Sequence, residues 1–311
     1  MTVSELGEFG LIKRVTSGLA PVASTLVGPG DDAAVVAAGD GRVVVSTDLM
    51  VEHRHFRRDW STATDIGHKA AARCFADIVA MGAVPTSLLV GFAAPGELPV
   101  EWVDGLVAGL REECSEVDAA IVGGDVTASA EITLAMTALG DLQGRSPVRI
   151  DGARAGNVVA VTGRLGWAAA GLAVLSRGFR SPVQVVSAHR RPEPPYRQGL
   201  IAAEQGATAM TDVSDGLVAD LGHIAQASGV RIDLTAARIA IPSKITEVGA
   251  ALNVDPLTWV LTGGDDYALV ATFPPGAGLP DTWTAIGAVT AGAGVRVDGR
   301  SWPVGGHEHF R

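Results

Sequence analysis

Aspartates recur in one setting along this chain. The stretch "GPGDDAAVV" (28–36) holds Asp31 and Asp32 in a glycine turn ahead of an apolar run. In "VVVSTDLMV", Asp48 follows the apolar run Val43–Val45, and in "AAIVGGDVT" Asp125 follows Ile121 and Val122. "AMTDVSDGL" adds Asp212 and Asp215, and "WVLTGGDDY" adds Asp265 and Asp266. A β-branched run closed by Gly, Ser or Thr and then Asp reads as a strand end running into a loop. In α/β architectures such ends are where ligands sit. One Asp-Asp pair reads as solvated turn residues. Five acidic turns of one kind predict carboxylates that converge, and converged carboxylates stay ionised only when cations hold them. Hard oxygen donors of this type suit Mg²⁺ or a similar ion.

Phosphate-binding motifs narrow the reading by exclusion. No lysine follows a glycine, so a Walker-type loop is absent. "GPGDDA" fits a loose Gly-x-Gly-x-x-Ala, with Glu52 twenty residues past Asp32. Asp31 and Asp32 would then face a pyrophosphate, and the segment that follows reads as strand and turn, which argues against a dinucleotide fold. "VTGRLGWAAAG" (161–171) reads either as a phosphate cradle at a helix N-terminus or as an ordinary strand–helix turn. "DVSDG" lacks the alternating oxygens and closing Glu of a calcium loop. Asp77, in "CFADIVAMGA", falls inside an apolar helix, where an unsatisfied carboxylate is costly. It is either hydrogen-bonded structurally or a metal ligand. His55 follows the Asp48 strand and is inert or a ligand contact; Arg149 is solvated or pairs with a phosphate.

The elements that must position these groups alternate. A strand at 42–48 leads to a helix at 62–81, capped by Ser61 or Thr62 and stopped at Gly82. A strand at 86–92, a helix at 100–114 and strands at 119–122 and 131–139 follow. The Gly- and Arg-rich stretch "DLQGRSPVRIDGARAG" (141–156) marks a domain boundary, giving domains 1–148 and 149–311. The second half continues with the strand "NVVAVTG", helices from Trp167 and at 196–205, a strand at 208–212 and a helix at 215–228. "VRIDL" and "YALVATF" read as strands, and two more follow Trp283. "GGDVT" and "GGDDY" echo each other across the boundary.

Composition sets the class. The 311 residues are 47% hydrophobic and 19% charged, enough for two cores. A net charge of −10 would repel a nucleic-acid backbone. "MTVSELGEFG" has no basic-then-apolar order of a signal peptide, and no apolar run nears the ~18 residues of a membrane span. Cys74 and Cys114 have no metal-ligand spacing and read as packing thiols in a reducing cytoplasm.

Seven stretches in order carry a resemblance: "GEFGLI", "GDDAA", "STDLMVEHRHF", "ADIVAMGAVP", "IVGGDVT", "DVSDGLVADLGH" and "GGDDY". From Gly7 to Phe310 the chain resembles the thiamine-monophosphate kinase family of the aminoimidazole ribonucleotide synthase-like superfamily. The resemblance implies two α/β domains with mixed sheets, and a homodimer whose N-terminal sheets pair across the interface. It implies ATP-dependent phosphorylation of thiamine monophosphate to thiamine diphosphate, by direct in-line transfer assisted by several Mg²⁺ ions. The metal set it implies is Asp32, Ser46, Thr47, Asp48, Asp77, Asp125, Asp212 and Asp215, with Ser46 and Thr47 acting partly through backbone carbonyls. The ATP contacts implied are Asp32, Thr47, Gly124, Asp125, Arg149 and Ser214, and the acceptor contacts are His55, Asp265 and His307. Asp265 stands where the family commonly has glutamate, and His307 where it usually has Tyr or Trp.

The chemistry agrees with the acidic pattern. A phosphate acceptor is already ionised near pH 7, since its second pKa is about 6, so no general base is needed. What the reaction needs is neutralisation of two anionic phosphates held in line. Two alternatives carry different expectations. Another ATP-dependent member of the superfamily would want a reactive Cys with a Lys near the glycine turn, or a C-terminal Cys, and the chain ends "HEHFR". A non-enzymatic divalent-metal-binding module accounts for the carboxylates but not for the glycine turn at 161–171.

Overall fold

The computed structural model describes residues 1–29 and 33–302. Asp31, Asp32 and His307 therefore lie outside the described residues. The chain divides into two compact units, Met1–Ile78 with Ala83–Arg145, and Val79–Gly82 with residues from Ser146 onward.

The first unit opens with helices α1 (Val3–Leu6) and α2 (Glu8–Thr16) and a two-stranded ribbon, β1 (Thr25–Val27) and β2 (Val35–Val36). Its main sheet holds β3 (Val44–Val51), β4 (Val84–Ala94), β5 (Ala120–Ala128) and β6 (Thr133–Asp141) in the order β3-β6-β4-β5. Two helices, α3 (Ala63–Ala80) and α4 (Val100–Glu116), belong with it. Thr62 starts α3 in a reciprocal cap: its hydroxyl accepts the Asp65 N–H at 3.1 Å, and the Asp65 carboxylate accepts the Thr62 N–H at 3.0 Å. The helix stops before Gly82, whose φ of 73° is left-handed. Its small residues let α4 approach closely. A Cβ on Gly67 would run into the backbone of Leu106, and one on Gly109 into that of Thr64.

The sheet has two unlike faces. Alternation along β6 buries Leu134, Met136 and Ala138. On the other face Val45 and Leu49 of β3 are 63% and 55% exposed.

The second unit is built on a seven-stranded sheet, in the order β13-β12-β9-β11-β7-β10-β8. Its strands are β7 (Val158–Thr162), β8 (Ala209–Val213), β9 (Arg231–Leu234), β10 (Ala268–Phe273), β11 (Thr284–Thr290), β12 (Gly294–Val297) and β13 (Arg300–Ser301). The helices are α5 (Trp167–Ser176), α6 (Val183–Arg190), α7 (Tyr196–Glu204), α8 (Leu217–Ser228), α9 (Ser243–Leu252) and α10 (Pro256–Thr262). Every residue of β10 is buried, Thr272 included, as a strand covered on both faces requires. One face packs Leu217, Leu221 and Ile224 of α8, and the other packs Phe273 edge-on against Trp283, with ring centroids 5.4 Å apart.

Three expectations change. Asp48 and Asp125 lie within strands and not at their ends, because β3 runs to Val51 and β5 runs through both glycines to Ala128. The glycine pair in "IVGGDVT" serves close strand pairing: a Cβ on Gly124 would collide with the Val90 carbonyl. Helices α6, α9 and α10 interrupt stretches that give no clear helical stripe, and three strands, not two, follow Trp283.

Candidate functional site

The candidate residues divide between the two units. In the first, β3 points Ser46 and Asp48 to the face shared with Met50, and α3 brings Arg73 and Asp77 there on one side of the helix, four residues apart. The Ser46 hydroxyl donates to Asp77 Oδ2. Asp48 accepts a guanidinium fork, Arg73 Nε to Oδ2 at 2.9 Å and Nη2 to Oδ1 at 3.0 Å. Burial raises the Asp77 carboxyl above the ordinary carboxylate value; the Ser46 hydrogen bond pulls it down, the Asp48 charge adds to the rise, and Arg73 opposes it. The structural and the metal-ligand readings of Asp77 thus both keep an observation. The Thr47 side chain points to the opposite face, donating to the Met136 carbonyl at 2.9 Å and accepting from Thr137 at 3.1 Å. Cys74 and Cys114 are buried free thiols pushed up to about 12 by that burial, and are unreactive packing groups.

Asp125 does not join this cluster within the chain. The register lines up Asp48 with Met136, Val90 and Gly124, and Leu49 with Ala135, Gly91 and Asp125. Asp125 therefore shares the face of Leu49, opposite to Asp48, and lies roughly 14 Å along the sheet, three strand spacings away. Gly124 and Asp125 border a cavity of about 850 Å³ in this unit, whose walls include Ile12 and Val15 of α2 and Leu106 and Val107 of α4.

His55 sits in the turn after β3. Its Nδ1 accepts the Val51 N–H at 2.9 Å, so Nε2 is the nitrogen that carries the proton in the neutral ring.

In the second unit the loop after β8 and the "GGDDY" loop meet. The Asp265 N–H donates to the Ser214 carbonyl at 2.8 Å, and the Tyr267 N–H to the Val213 carbonyl at 3.0 Å. A Cβ on Gly264 would strike Ser214, so glycine is what lets the loops touch. Asp265 and Tyr267 adopt left-handed φ values of 64° and 52°, and the Tyr267 hydroxyl donates to Asp265 Oδ1 at 2.8 Å. Asp212, Ser214, Asp215 and Asp265 are thus collected at one end of the sheet. Arg149 lies on the surface in a pair with Asp151, Nε to Oδ1 at 2.9 Å.

Two residues here escaped the sequence reading. Asp220 and His223, on α8, place ligand atoms within 4.8 Å of each other and of Asp215. Asp220 Oδ2 accepts the N–H groups of Asp215 and Gly216 at 3.1 and 3.0 Å, shaping the turn that presents Asp215. Burial and then the Asp215 charge push its carboxyl up to about 7. The signal available was an acidic residue in the first turn of a helix, two turns' reach from Asp212 and Asp215 in "DVSDGLVADLGH". The two carboxylates suit Mg²⁺ or Mn²⁺, and the added imidazole favours Mn²⁺ or a later transition metal over Mg²⁺.

The glycine turn at 161–171 is not a phosphate cradle. Asp266 occupies it: Oδ1 accepts the Ala168 N–H at 2.8 Å, and Oδ2 accepts the Gly166 N–H. The amides that open α5 are satisfied by an internal carboxylate.

Residues 30–142 match the N-terminal domain, and residues 154–300 the C-terminal domain, of AIR synthase related protein. The thiamine-monophosphate kinase of Mycobacterium tuberculosis is 51% identical over 303 residues, covering 97% of this chain and 90% of that protein. The enzyme of that name from Corynebacterium glutamicum is 41% identical, covering 93% of this chain and 88% of its own. Among solved structures, AaThiL complexed with AMPPCP and TMP superposes with a TM-score of 0.81 at 32% identity, covering 100% of this chain and 99% of that one. The thiamine-monophosphate kinase of Stenotrophomonas maltophilia K279a gives 0.81 at 31% identity, covering 94% and 95%. Identity of this extent, spread over both units, shows that the chain belongs to the thiamine-monophosphate kinases of the AIR synthase related family.

Proposed function

We propose that this chain transfers the terminal phosphoryl group of ATP to thiamine monophosphate, giving thiamine diphosphate and ADP. The observation that carries this is the 51% identity to a thiamine-monophosphate kinase across 97% of the chain. The likeness to a relative bound to AMPPCP and TMP supports it. The acidic groups agree: Asp48 and Asp77 with Ser46 in one unit, and Asp212 and Asp215 in the other, are oxygen donors fit for Mg²⁺. Asp32, Asp125 and the Thr47 carbonyl complete the proposed set. Bound there, Mg²⁺ would neutralise the phosphate charge that opposes transfer.

The chain's own residues would do the rest. Thr47, Gly124, Asp125, Arg149 and Ser214, with Asp32, are the proposed nucleotide contacts, and Arg149 would exchange Asp151 for a phosphate. His55, with its proton on Nε2, would donate to the acceptor phosphate. Asp265, steadied by Tyr267, would attract the thiazolium cation, and His307 would offer it a ring face. The acceptor oxygen is ionised at neutral pH, so no residue has to remove a proton.

The same reading includes a homodimer. The apolar outer face of the β3-β6-β4-β5 sheet, with Val43 46%, Val45 63% and Leu49 55% exposed, is suited to a second copy. Asp125, on that face, would then stand at the interface. The reading also places the enzyme in the cytoplasm, where buried thiols such as Cys74 and Cys114 stay reduced. No helix among the described residues is long and apolar enough to cross a membrane.

Incubation with ATP, Mg²⁺ and thiamine monophosphate should yield ADP and thiamine diphosphate in equal amounts. ADP without thiamine diphosphate, or neither product, would overturn the assignment.

A further inference from the structure

Arg73 stands inside the acidic cluster of the first unit. Both Asp48 oxygens receive its fork, at 2.9 and 3.0 Å. The pair is sheltered, with side-chain exposures of 13% for Arg73 and 26% for Asp48. Planar, two-point pairing of this kind holds a carboxylate in one orientation. Arg73 also lies one helical turn from Asp77, whose partner Ser46 is two residues before Asp48 on β3. Among the described residues, two carboxylates, a hydroxyl and a guanidinium thus form one cluster.

A guanidinium and a divalent ion on the same carboxylate compete. Their mutual repulsion over a few ångströms is weakly screened where water is partly excluded. We propose that Arg73 is a resident counter-cation for Asp48: it holds the carboxylate in place when no metal is bound, and it lowers the affinity of this cluster for a divalent cation. The inference rests on the reading of Asp48 as a metal ligand given above. Arg73 is then a positioning residue, and its removal has opposite effects on order and on metal affinity.

Mn²⁺ is the probe, titrated into the full chain without nucleotide while free Mn²⁺ is followed by its paramagnetic resonance signal. R73Q should bind Mn²⁺ at least ~10-fold more tightly than the unaltered chain, since a like charge has gone from the site. R73K keeps the charge but loses the fork, and should gain less than about 3-fold. In EDTA the melting temperature of R73Q should fall, and Mn²⁺ should restore it. The gain should vanish in the double variant R73Q/D48N. An unchanged or weaker Mn²⁺ affinity in R73Q overturns the proposal, as does a gain that survives D48N. Should R73Q fail to fold, R73K decides: a loss of Mn²⁺ affinity there overturns it too. If D48N by itself leaves Mn²⁺ binding untouched, the fault lies with the reading of Asp48 as a ligand. Asp48-dependent binding with no gain in R73Q defeats this proposal only.

Discussion

The two units handle buried carboxylates differently. In the first, side chains meet them: Arg73 on Asp48, Arg58 on Glu52 at 2.6 Å, the His68 imidazole on Glu113 at 2.7 Å, and the Ser46 hydroxyl on Asp77. In the second, backbone N–H groups do so: those of Asp215 and Gly216 on Asp220, and those of Gly166 and Ala168 on Asp266. Amide dipoles orient a carboxylate but carry no net charge to offset it. Burial accordingly pushes both Asp220 and Asp266 up to about 7. Burial raises Asp77 of the first unit as well, so the contrast lies between Asp48 and Glu52, which have arginine partners, and Asp220 and Asp266, which are served by amides.

The largest test of this contrast is catalytic. Asp215→Asn should lower turnover by ~10³-fold, and Asp48→Asn by ~10²-fold, with the fold retained. High Mg²⁺ should partly rescue Asp215→Asn. It should rescue Asp48→Asn poorly, because Arg73 would remain beside the site with its carboxylate gone. Equal rescue of both variants in steady-state assays would erase the distinction between the units.

Next in size is the helix pair of the first unit. The His68 and Glu113 side chains are 6% and 9% exposed, whereas that of Glu112 is 59% exposed. His68→Leu takes the imidazole partner from a buried carboxylate and should cost about 3 kcal/mol in urea unfolding. Glu112→Gln removes only the exposed partner and should cost less than about 1 kcal/mol. Similar losses for the two would mean that burial does not set the worth of this bridge.

Asp266 tests the amide-served carboxylates through pH. Its carboxyl is raised by burial to about 7 from an ordinary 3.8, so the native state binds this proton more tightly than the unfolded chain does. The stability this group contributes is complete below about pH 3.8 and lost as pH rises through about 7. Asn does not titrate. Asp266→Asn should therefore be less stable than the unaltered chain by about 2 kcal/mol at pH 5, through a mismatched amide partner. That deficit should shrink by pH 8. A constant deficit across the range would mean the carboxylate is ionised throughout.

The smallest effect concerns the left-handed turn at Asp265. Tyr267→Phe removes one hydrogen bond, worth about 1 kcal/mol, from the carboxylate proposed to meet the thiazolium. KM for thiamine monophosphate should rise roughly 3- to 10-fold while KM for ATP stays within about 2-fold. Parallel changes in both constants would point to a general loosening of the loop, and Asp265 would lose its proposed role.

Much of this molecule is legible one segment at a time. The cap at Thr62, the stop at Gly82 and the buried run of β10 all follow from neighbours within a few residues. Helix caps, 3.6-residue stripes and two-residue alternation are local properties, so residue order by itself determines them. The residue types also determined the chemistry: carboxylates in number, no Walker lysine, no nucleophile constellation. Three decisions belonged to the tertiary structure. Strand order and register put Asp125 on the face opposite Asp48, although both follow apolar runs that look alike in sequence. Docking of α3 on β3 brought Arg73 to Asp48 across 25 residues of chain. Closure of the second unit brought Asp266 across 98 residues to the amide of Ala168, converting an apparent phosphate cradle into a capped helix. In each case the partner is chosen by which surfaces pack and in what register, and nothing in the spacing along the chain encodes that choice locally.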